Sequence, residues 1–179
     1  MGLPETAVKE SKERVRSALI NSHFEFPTRR ITVNLAPAEL PKEGGRFDLA
    51  IAIGILAASD QMPTSTLPDY EFIGELSLSG NLRAVGAILP AAIACGARGK
   101  RLWIAEGNAE VAALVDGLCV LPAAHLLNIS AHLYDREKVV PWLRCNEPTT
   151  LEDNSLDDVI GQQQAKRALE ITACGGHHL

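Results

Sequence analysis

The apolar run over residues 49–59 restricts the fold of this chain more than any other stretch. This segment, "LAIAIGILAAS", contains no charged residue. It is far shorter than the ~20 apolar residues that span a membrane, so it predicts a helix buried in the core of a domain. With 179 residues, the chain is long enough for one such domain and a smaller additional piece.

The stretch in front of this region predicts an amphipathic first helix over 3–23. Its apolar positions recur at helical spacing, and its charged positions are expected to face water. The expected inner residues are Ala7, Val15, Ala18 and Leu19, and the expected outer residues are Lys9, Glu10, Lys12, Glu13, Arg14 and Arg16.

Strand and helix patterns then alternate. Ile31, Val33 and Leu35 alternate with polar residues and predict a strand. Residues 70–85 predict two strands with a turn at 79–81. A helix over 86–99 is followed by a strand, a helix capped by Asn108, a strand and a last helix. This order predicts an α/β (α+β) domain with a mixed sheet and packed helices.

The amino-acid composition changes after residue 140. Residues 141–156 contain prolines and acidic residues and predict a linker. Residues 157–179 predict the start of a second, ATPase-type module, with Asp157 or Asp158 near the beginning of its helix. The predicted domain boundaries are therefore 1–140, 141–156 and 157–179.

Composition argues against several functions. The net charge of −5 gives no overall attraction to nucleic acid or a membrane, and 4% aromatic residues are few for stacking bases. The four cysteines lack a C-x-x-C pair; three have apolar or small neighbours and are expected to be reduced core residues of a cytoplasmic protein. No metal site is expected from the scattered histidines, including His125 and His132, which share a predicted helix.

A small cationic group remains as a candidate contact for nucleic acid or a partner: Arg29, Arg30, Lys42 and Arg46. The alternative interpretation is that these are solvated loop charges.

Two segments together resemble the proteolytic domain of Lon. These are "APAELPKEGGRFDLAIAIGILAAS" and "FIGELSLSGNLRAVGAILPAAIACGARG". In Lon, a Pro-Lys-Asp-Gly-Pro-Ser-Ala-Gly loop carries the nucleophilic serine, and a Gly-Glu-apolar-Ser/Thr-Leu-x-Gly segment precedes the helix that carries the lysine base. The resemblance places Arg46 at the serine position and Leu89 at the lysine position. Arginine is always protonated and leucine has no titratable group, so a Ser-Lys peptidase is not expected. A dyad rebuilt from Ser77 or Ser79 with Lys42 is the remaining alternative.

The chain resembles the ComM-type, magnesium-chelatase-like AAA+ proteins more closely. The segments "GLPETAVKESKERVRSALINS", "NLAPAELPKEGGRFDLAIAI", "GELSLSGNLR" and "DVIGQQQAKRALEITACGGHHL" occur in the order found in that family. The resemblance implies a Lon-like fold of the ribosomal-protein-S5-domain-2 type. It also implies further strands before residue 2 and a Walker A loop after residue 179 in the parent protein.

The same resemblance implies the function of the parent protein. It would be an ATPase that binds ATP and Mg²⁺, assembles into a ring and acts on DNA in natural transformation as a helicase or branch-migration motor. Val159, Ile160 and Gly161 would form the edge that packs against adenine. This fragment is expected to hold no cofactor and to be non-catalytic, whereas the alternatives are a Lon-like peptidase and a magnesium-chelatase subunit.

Overall fold

The computed structural model describes residues 5–35, 44–143 and 159–176, with only the backbone for residues 5–9. The α-helices are α1 Glu5–Asn21, α2 Asp48–Ala58, α3 Ile88–Ala97, α4 Ala109–Ala112, α5 Leu126–Leu133 and α6 Gln163–Gly175. The strands are β1 Tyr70–Phe72, β2 Glu75–Leu76, β3 Leu82–Arg83, β4 Arg101–Ala105 and β5 Val120–Ala123. The chain divides into two compact units, Met1–Arg144 and Cys145–Leu179.

Both strand orientations occur in the first unit. Strands β1, β4 and β5 form a 3-stranded parallel sheet in the order β1-β4-β5, and β2 pairs with β3 as an antiparallel hairpin. An isolated antiparallel bridge between Asn81 and His125 connects the hairpin to the end of β5. The predicted α/β class is therefore confirmed, with its two orientations divided between two sheets.

The central strand β4 separates two apolar clusters. Its side chains alternate across the sheet, as a strand requires. Trp103 packs with residues of α1, α2 and α5, whereas Leu102 and Ile104 pack with residues of α3 and α4. Both faces of the parallel sheet are thus covered by helices. The apolar run that predicted a buried helix forms α2, which contributes Leu49, Ala52, Ile53, Ile55 and Leu56 to the core.

The strand predicted over residues 31–35 is wrong. These residues pair with no other described segment, and the side chains of Ile31 and Val33 are 38% and 48% exposed. Alternation shows only that successive side chains face different surroundings. A strand also needs a neighbour whose backbone supplies hydrogen-bond partners.

Two further predictions of local structure need correction. Residues 70–85 form β1, β2 and β3 rather than two strands, because the backbone N–H of Gly74 donates to the carbonyl of Arg46 (3.1 Å) and the chain leaves the parallel sheet there. Asn108 precedes α4 but makes no capping bond. Its side chain instead accepts from the Val85 N–H (2.9 Å) and donates to the Val85 carbonyl (3.0 Å).

The cysteines within the described ranges are free thiols in different surroundings. Cys95 is buried, Cys119 is partly buried and Cys174 is exposed. Burial raises the pKa of the Cys95 thiol to about 11. The expected core position is wrong for Cys174, because no residue of α6 is buried. Among the residues that the structure describes, no helix is both long enough and apolar enough to cross a membrane.

The second unit contributes α6. This helix begins at Gln163, and Asp157 and Asp158, the acidic residues predicted near its start, lie outside the described residues.

Candidate functional site

The loop before α2 is held against the start of the hairpin. Gly44 has a positive φ of 71°, and Asp48 N–H closes a turn on the carbonyl of Gly45 (2.9 Å). Gly74 donates to the Arg46 carbonyl (3.1 Å) and accepts from the N–H of Leu49 (3.1 Å). The backbone of this loop is thereby fixed from both sides. Lys42, which was predicted to contribute to a basic group here, lies outside the described residues.

Asp48 is the buried anion of this site. Its side chain is 0% exposed. It accepts hydrogen bonds from the Ser11 hydroxyl (2.5 Å), from Arg14 Nε (2.8 Å) and from the backbone N–H of Leu76 (3.4 Å). The carboxylate lies in the first turn of α2, where a negative charge is favoured. A buried carboxylate of this kind is stable only when donors surround it.

Arg14 is therefore a structural partner and not one of the solvent-facing charges that the helical pattern predicted. Its side chain is 23% exposed, and the hydrogen bond with Asp48 raises the pKa of its guanidinium. Asp48 thus forms its ion pair with Arg14 and not with Arg46, its near neighbour in the sequence. The contact between Arg14 of α1 and Asp48 of α2 was not predicted. Helical periodicity does not show which residue on the polar side of a helix will contact a charge far away in the sequence.

Arg46 instead reaches the start of α3. Its Nη2 donates to the carbonyl of Ala87 (3.3 Å). Ala87 has a left-handed backbone conformation (φ 51°) and directly precedes α3, whose first turn contains the partly buried Leu89. The two positions that the resemblance to Lon assigns to serine and lysine are linked here through the bond from Arg46 to the carbonyl of Ala87, two residues before Leu89. They hold a donor-only guanidinium and an aliphatic side chain, which supply neither a nucleophile nor a base.

Gly45 allows the close approach of an acidic side chain to this loop. A Cβ at Gly45 would lie 2.5 Å from Glu75 Cγ and 2.8 Å from Asp48 Oδ2. Glu75 also lies 3.7 Å from Arg83 in the hairpin. In the described part of the loop, Gly45 is therefore packed against the paired charges of Asp48 and Glu75.

The serines of the hairpin stabilise its turn. The hydroxyls of Ser77 and Ser79 lie 3.0 Å apart, Ser77 Oγ accepts from the Asn81 N–H (3.0 Å), and Ser79 Oγ accepts from Asn81 Nδ2 (2.8 Å). Their partners among the described residues are one another and Asn81. The proposed rebuilt dyad with Lys42 is not tested, since that lysine lies outside the described residues.

His125 fixes the hairpin to α5. Its Nδ1 accepts from the Leu127 N–H (3.1 Å), and its Nε2 lies 2.9 Å from the carbonyl of Ser79. Nδ1 must therefore be unprotonated while Nε2 donates. This histidine is an N-cap whose ring nitrogens are both occupied, and the sequence signal for it was its place just before an apolar helical run.

A cationic groove lies beside this loop. It has a volume of about 840 Å³, and its floor is apolar, with Val15, Phe47, Ile51 and Ile55 among its residues. Its cationic residues are Lys12, Arg16, Arg29 and Arg30, and none of the described residues that line it is acidic. The structure thus brings Arg29 and Arg30 together with Lys12 and Arg16 of α1, a proximity that the sequence did not predict. Arg46 is not one of the residues lining the groove.

The residues predicted to pack against adenine lie in the second unit. Ile160 is 97% exposed and Val159 43% exposed, and Gly161 has a φ of 76°. The chain contains no G-x-x-x-x-G-K-[ST] loop to hold phosphates. Within the described ranges, no group of three or more His, Cys, Asp or Glu residues is placed to hold a metal ion.

Family models match both parts of the chain. A model described as subunit ChlI of Mg-chelatase matches residues 1–108. A second model, described as magnesium chelatase, subunit ChlI, matches residues 155–179.

Curated relatives match the chain over its full length. The competence protein ComM of Haemophilus influenzae is 50% identical over 184 residues, covering 100% of this chain and 36% of that protein. The uncharacterized protein YifB of Escherichia coli is 46% identical over 179 residues, covering 100% and 35%. A Lon protease of Rhizobium meliloti is 25% identical over 165 residues, covering 87% and 20%. The chain thus spans only slightly more than a third of the length of ComM and YifB.

Proposed function

Because this chain belongs to the ComM-type, magnesium-chelatase-like family, we propose that its first unit is a non-catalytic, Lon-like domain of an AAA+ ATPase. The observation that carries this proposal is the geometry of Arg46. Its guanidinium bonds to the carbonyl of Ala87 (3.3 Å), beside the helix turn that carries Leu89. At the positions that the resemblance assigns to a Ser-Lys dyad, this chain would thus have a hydrogen-bonded guanidinium and an aliphatic side chain.

The parent protein is proposed to be a cytoplasmic DNA helicase or branch-migration motor in natural transformation. Support comes from the relation to a protein named competence protein ComM and from the family match of residues 155–179. In the parent, ATP and Mg²⁺ would bind in the AAA+ module, and Val159, Ile160 and Gly161 would contribute the adenine edge. Such a motor would assemble into a ring.

The first unit is proposed to organise that ring or to contact DNA. The cationic groove supports contact with DNA, since Arg29 and Arg30 lie there with Lys12 and Arg16. Local positive charge of this kind attracts phosphates even when the whole chain is acidic.

The decisive experiment compares the full-length parent protein with a variant lacking residues 1–140. ATP hydrolysis and migration of a branched DNA substrate are measured for both. We expect the full-length protein to do both, and the variant to hydrolyse ATP but to move branched DNA poorly. A full-length protein without DNA-stimulated ATP hydrolysis would refute the motor. Unchanged branch migration by the variant would refute the role of this domain.

Peptidase activity is tested separately with casein and fluorogenic peptides. We expect no cleavage by the wild-type chain. Cleavage that persists in the Arg46→Ala and Leu89→Ala variants would show that a peptidase is built from other residues. Replacing Ser77 and Ser79 by alanine would then identify the nucleophile.

Contact with DNA is tested by titrating the chain with a branched duplex at several salt concentrations. Replacing Arg29 and Arg30 by alanine should weaken binding and reduce the salt slope by about 0.9 for each phosphate that is no longer neutralised. A matched control replaces Arg98 and Arg136, which are exposed elsewhere on the first unit. Equal binding by both variants, or no binding at low salt, would make this unit a scaffold.

The description of the matching family models as subunit ChlI of Mg-chelatase makes a chelatase subunit the second candidate. That function would require ATP-dependent insertion of Mg²⁺ into a porphyrin. Absorbance spectra of a porphyrin incubated with the full-length protein, ATP, Mg²⁺ and chelatase partner subunits would decide it, and metallation would overturn the DNA-motor proposal.

A further inference from the structure

The chain that follows α5 is fastened back onto the first unit at two points. The backbone N–H of Val139 donates to His132 Nδ1 (3.0 Å). The backbone N–H of Trp142 donates to the carbonyl of Val120 in β5 (2.8 Å). We call residues 139–142 the strap.

The strap covers part of a sheet edge. β5 is the last strand in the order β1-β4-β5, and an uncovered edge strand offers free backbone groups to other chains. Burial holds the strap only weakly. Val139 packs partly against the core, but Val140 is 75% exposed and Trp142 is 43% exposed. The two hydrogen bonds are therefore the principal anchors of this segment.

His132 must be neutral to hold the strap. An imidazole nitrogen that accepts from an N–H carries no proton, so the single ring proton is on Nε2. The ring is 7% exposed and lies perpendicular to Trp103 at a centroid distance of 4.9 Å. A protonated ring would present an N–H to the N–H of Val139, and this hydrogen bond would be lost.

The groups around His132 act in opposite directions on its protonation. Burial is the largest influence and lowers the pKa of His132; the positive charges of Lys138 and of Arg101 on β4 lower it further, and Asp135 raises it. Tyr70 on β1 faces the ring edge-on at 6.4 Å. Lys138 and Asp135 also pair with each other at 2.5 Å, which reduces the net field of the two.

We propose that His132 is a proton-operated latch: neutral His132 keeps the strap on the edge of β5, and protonated His132 releases it while the sheet and α5 remain folded. The released segment is the one through which the chain leaves the first unit. The latch would therefore expose the edge of β5. This inference does not depend on the function proposed above.

Amide hydrogen exchange measured by NMR on the full chain tests the latch. Protection factors of Val139 and Trp142 are compared with that of Leu102, whose N–H donates to Cys119 inside the parallel sheet (2.9 Å). Between pH 7.5 and a pH one unit below the midpoint of His132, protection of the strap amides should fall about tenfold. Leu102 should stay protected. Unchanged strap protection would overturn the proposal, and so would an equal loss at Leu102, because that would be global unfolding.

Two variants distinguish the release of the strap by protonated His132 from other effects of low pH. His132→Asn keeps a side-chain acceptor without a titrating ring, so strap protection should no longer depend on pH. His125→Asn, a cap replaced by another good cap, should keep the wild-type pH dependence. A strap that still detaches in His132→Asn would refute the role of this histidine.

The ring itself provides a second measurement if His132→Asn does not fold. The ¹⁵N shifts of wild-type His132 should show the proton on Nε2 at neutral pH, and their midpoint should coincide with the loss of Trp142 protection. Separate midpoints, or a proton on Nδ1 at neutral pH, would also refute the proposal.

Discussion

At the scale of single residues, the pairing of Arg14 with Asp48 is expected to be the most costly polar contact to break. Asp48 is fully buried, so Arg14→Met leaves an uncompensated carboxylate in the core. We expect a loss of about 3 kcal/mol in the free energy of unfolding, measured by urea titration.

Arg98→Met is the matched control for this prediction. Its ion pair with Glu71 joins an arginine side chain that is 60% exposed to solvent, so a much smaller change is expected. Equal losses in both variants would contradict the assignment of the Arg14–Asp48 contact as a buried structural pair.

His132 makes the stability of the first unit depend on pH. Burial lowers its pKa below the ordinary 6.5, so the unfolded chain binds the proton more readily than the folded chain. The contribution to stability is complete above pH 6.5 and is lost as the pH falls through the folded-state pKa. The urea midpoint should therefore fall between pH 7.5 and 5.5 by more in the wild type than in His132→Asn. An equal decrease in both would assign the pH dependence to other groups.

At the scale of elements, the hairpin depends on Gly80. Its φ is 87°, and a Cβ there would lie 2.2 Å from Ser22 Oγ and 2.9 Å from the ring of His125. Gly80→Ala should therefore cost about 2–4 kcal/mol, from left-handed strain and overpacking together. Thermal unfolding followed by circular dichroism measures this loss.

Replacing Gly54 in α2 by alanine is expected to have the opposite effect on stability from replacing Gly80. A Cβ at Gly54 meets nothing within 4 Å, and alanine is the better helix former by about 1 kcal/mol. Gly54→Ala should therefore be neutral or stabilising. If both glycine variants lost the same stability, the close approach at Gly80 would not be the cause.

The elements that the sequence predicted well are those whose pattern depends on local burial. α2 and β4 are apolar runs that the core covers, and α1 has a regular inner face. The wrong predictions concern residues whose structure depends on distant partners. Residues 31–35 alternate but pair with no strand in the part of the chain that the structure describes, and Asn108 binds Val85 across the fold instead of capping α4. Periodicity contains no information about either kind of partner.

At the scale of the whole molecule, the first unit should unfold in one transition. The two apolar clusters lie on opposite faces of the same sheet and share β4, so neither can lose its packing without exposing the other. In Trp142→Phe, the fluorescence of buried Trp103 and the far-ultraviolet circular dichroism should therefore give the same urea midpoint. Two separated midpoints would show that the clusters unfold independently.

The sequence predicted only part of the candidate site. The family resemblance placed Arg46 and Leu89 at the dyad positions, and the structure brings the Arg46 side chain to the turn before Leu89. The buried Asp48 and its donors were not predicted, because Ser11 and Arg14 belong to a helix that shows no sign of this partner in its own sequence. Lys12 and Arg16 of α1 were not predicted to join the cationic groove, because their proximity to Arg29 and Arg30 also depends on long-range packing.

The surroundings of Asp48 also bear on the order in which the fold assembles. Its donors lie far along the chain, with Arg14 34 residues before it and the Leu76 N–H 28 residues after it. Contacts across such separations form late, whereas the β2–β3 hairpin closes locally. The carboxylate can be desolvated only after α1, α2 and the hairpin have met. Its bonds therefore contribute little to the speed of folding, and their main effect is to slow the opening of the finished domain.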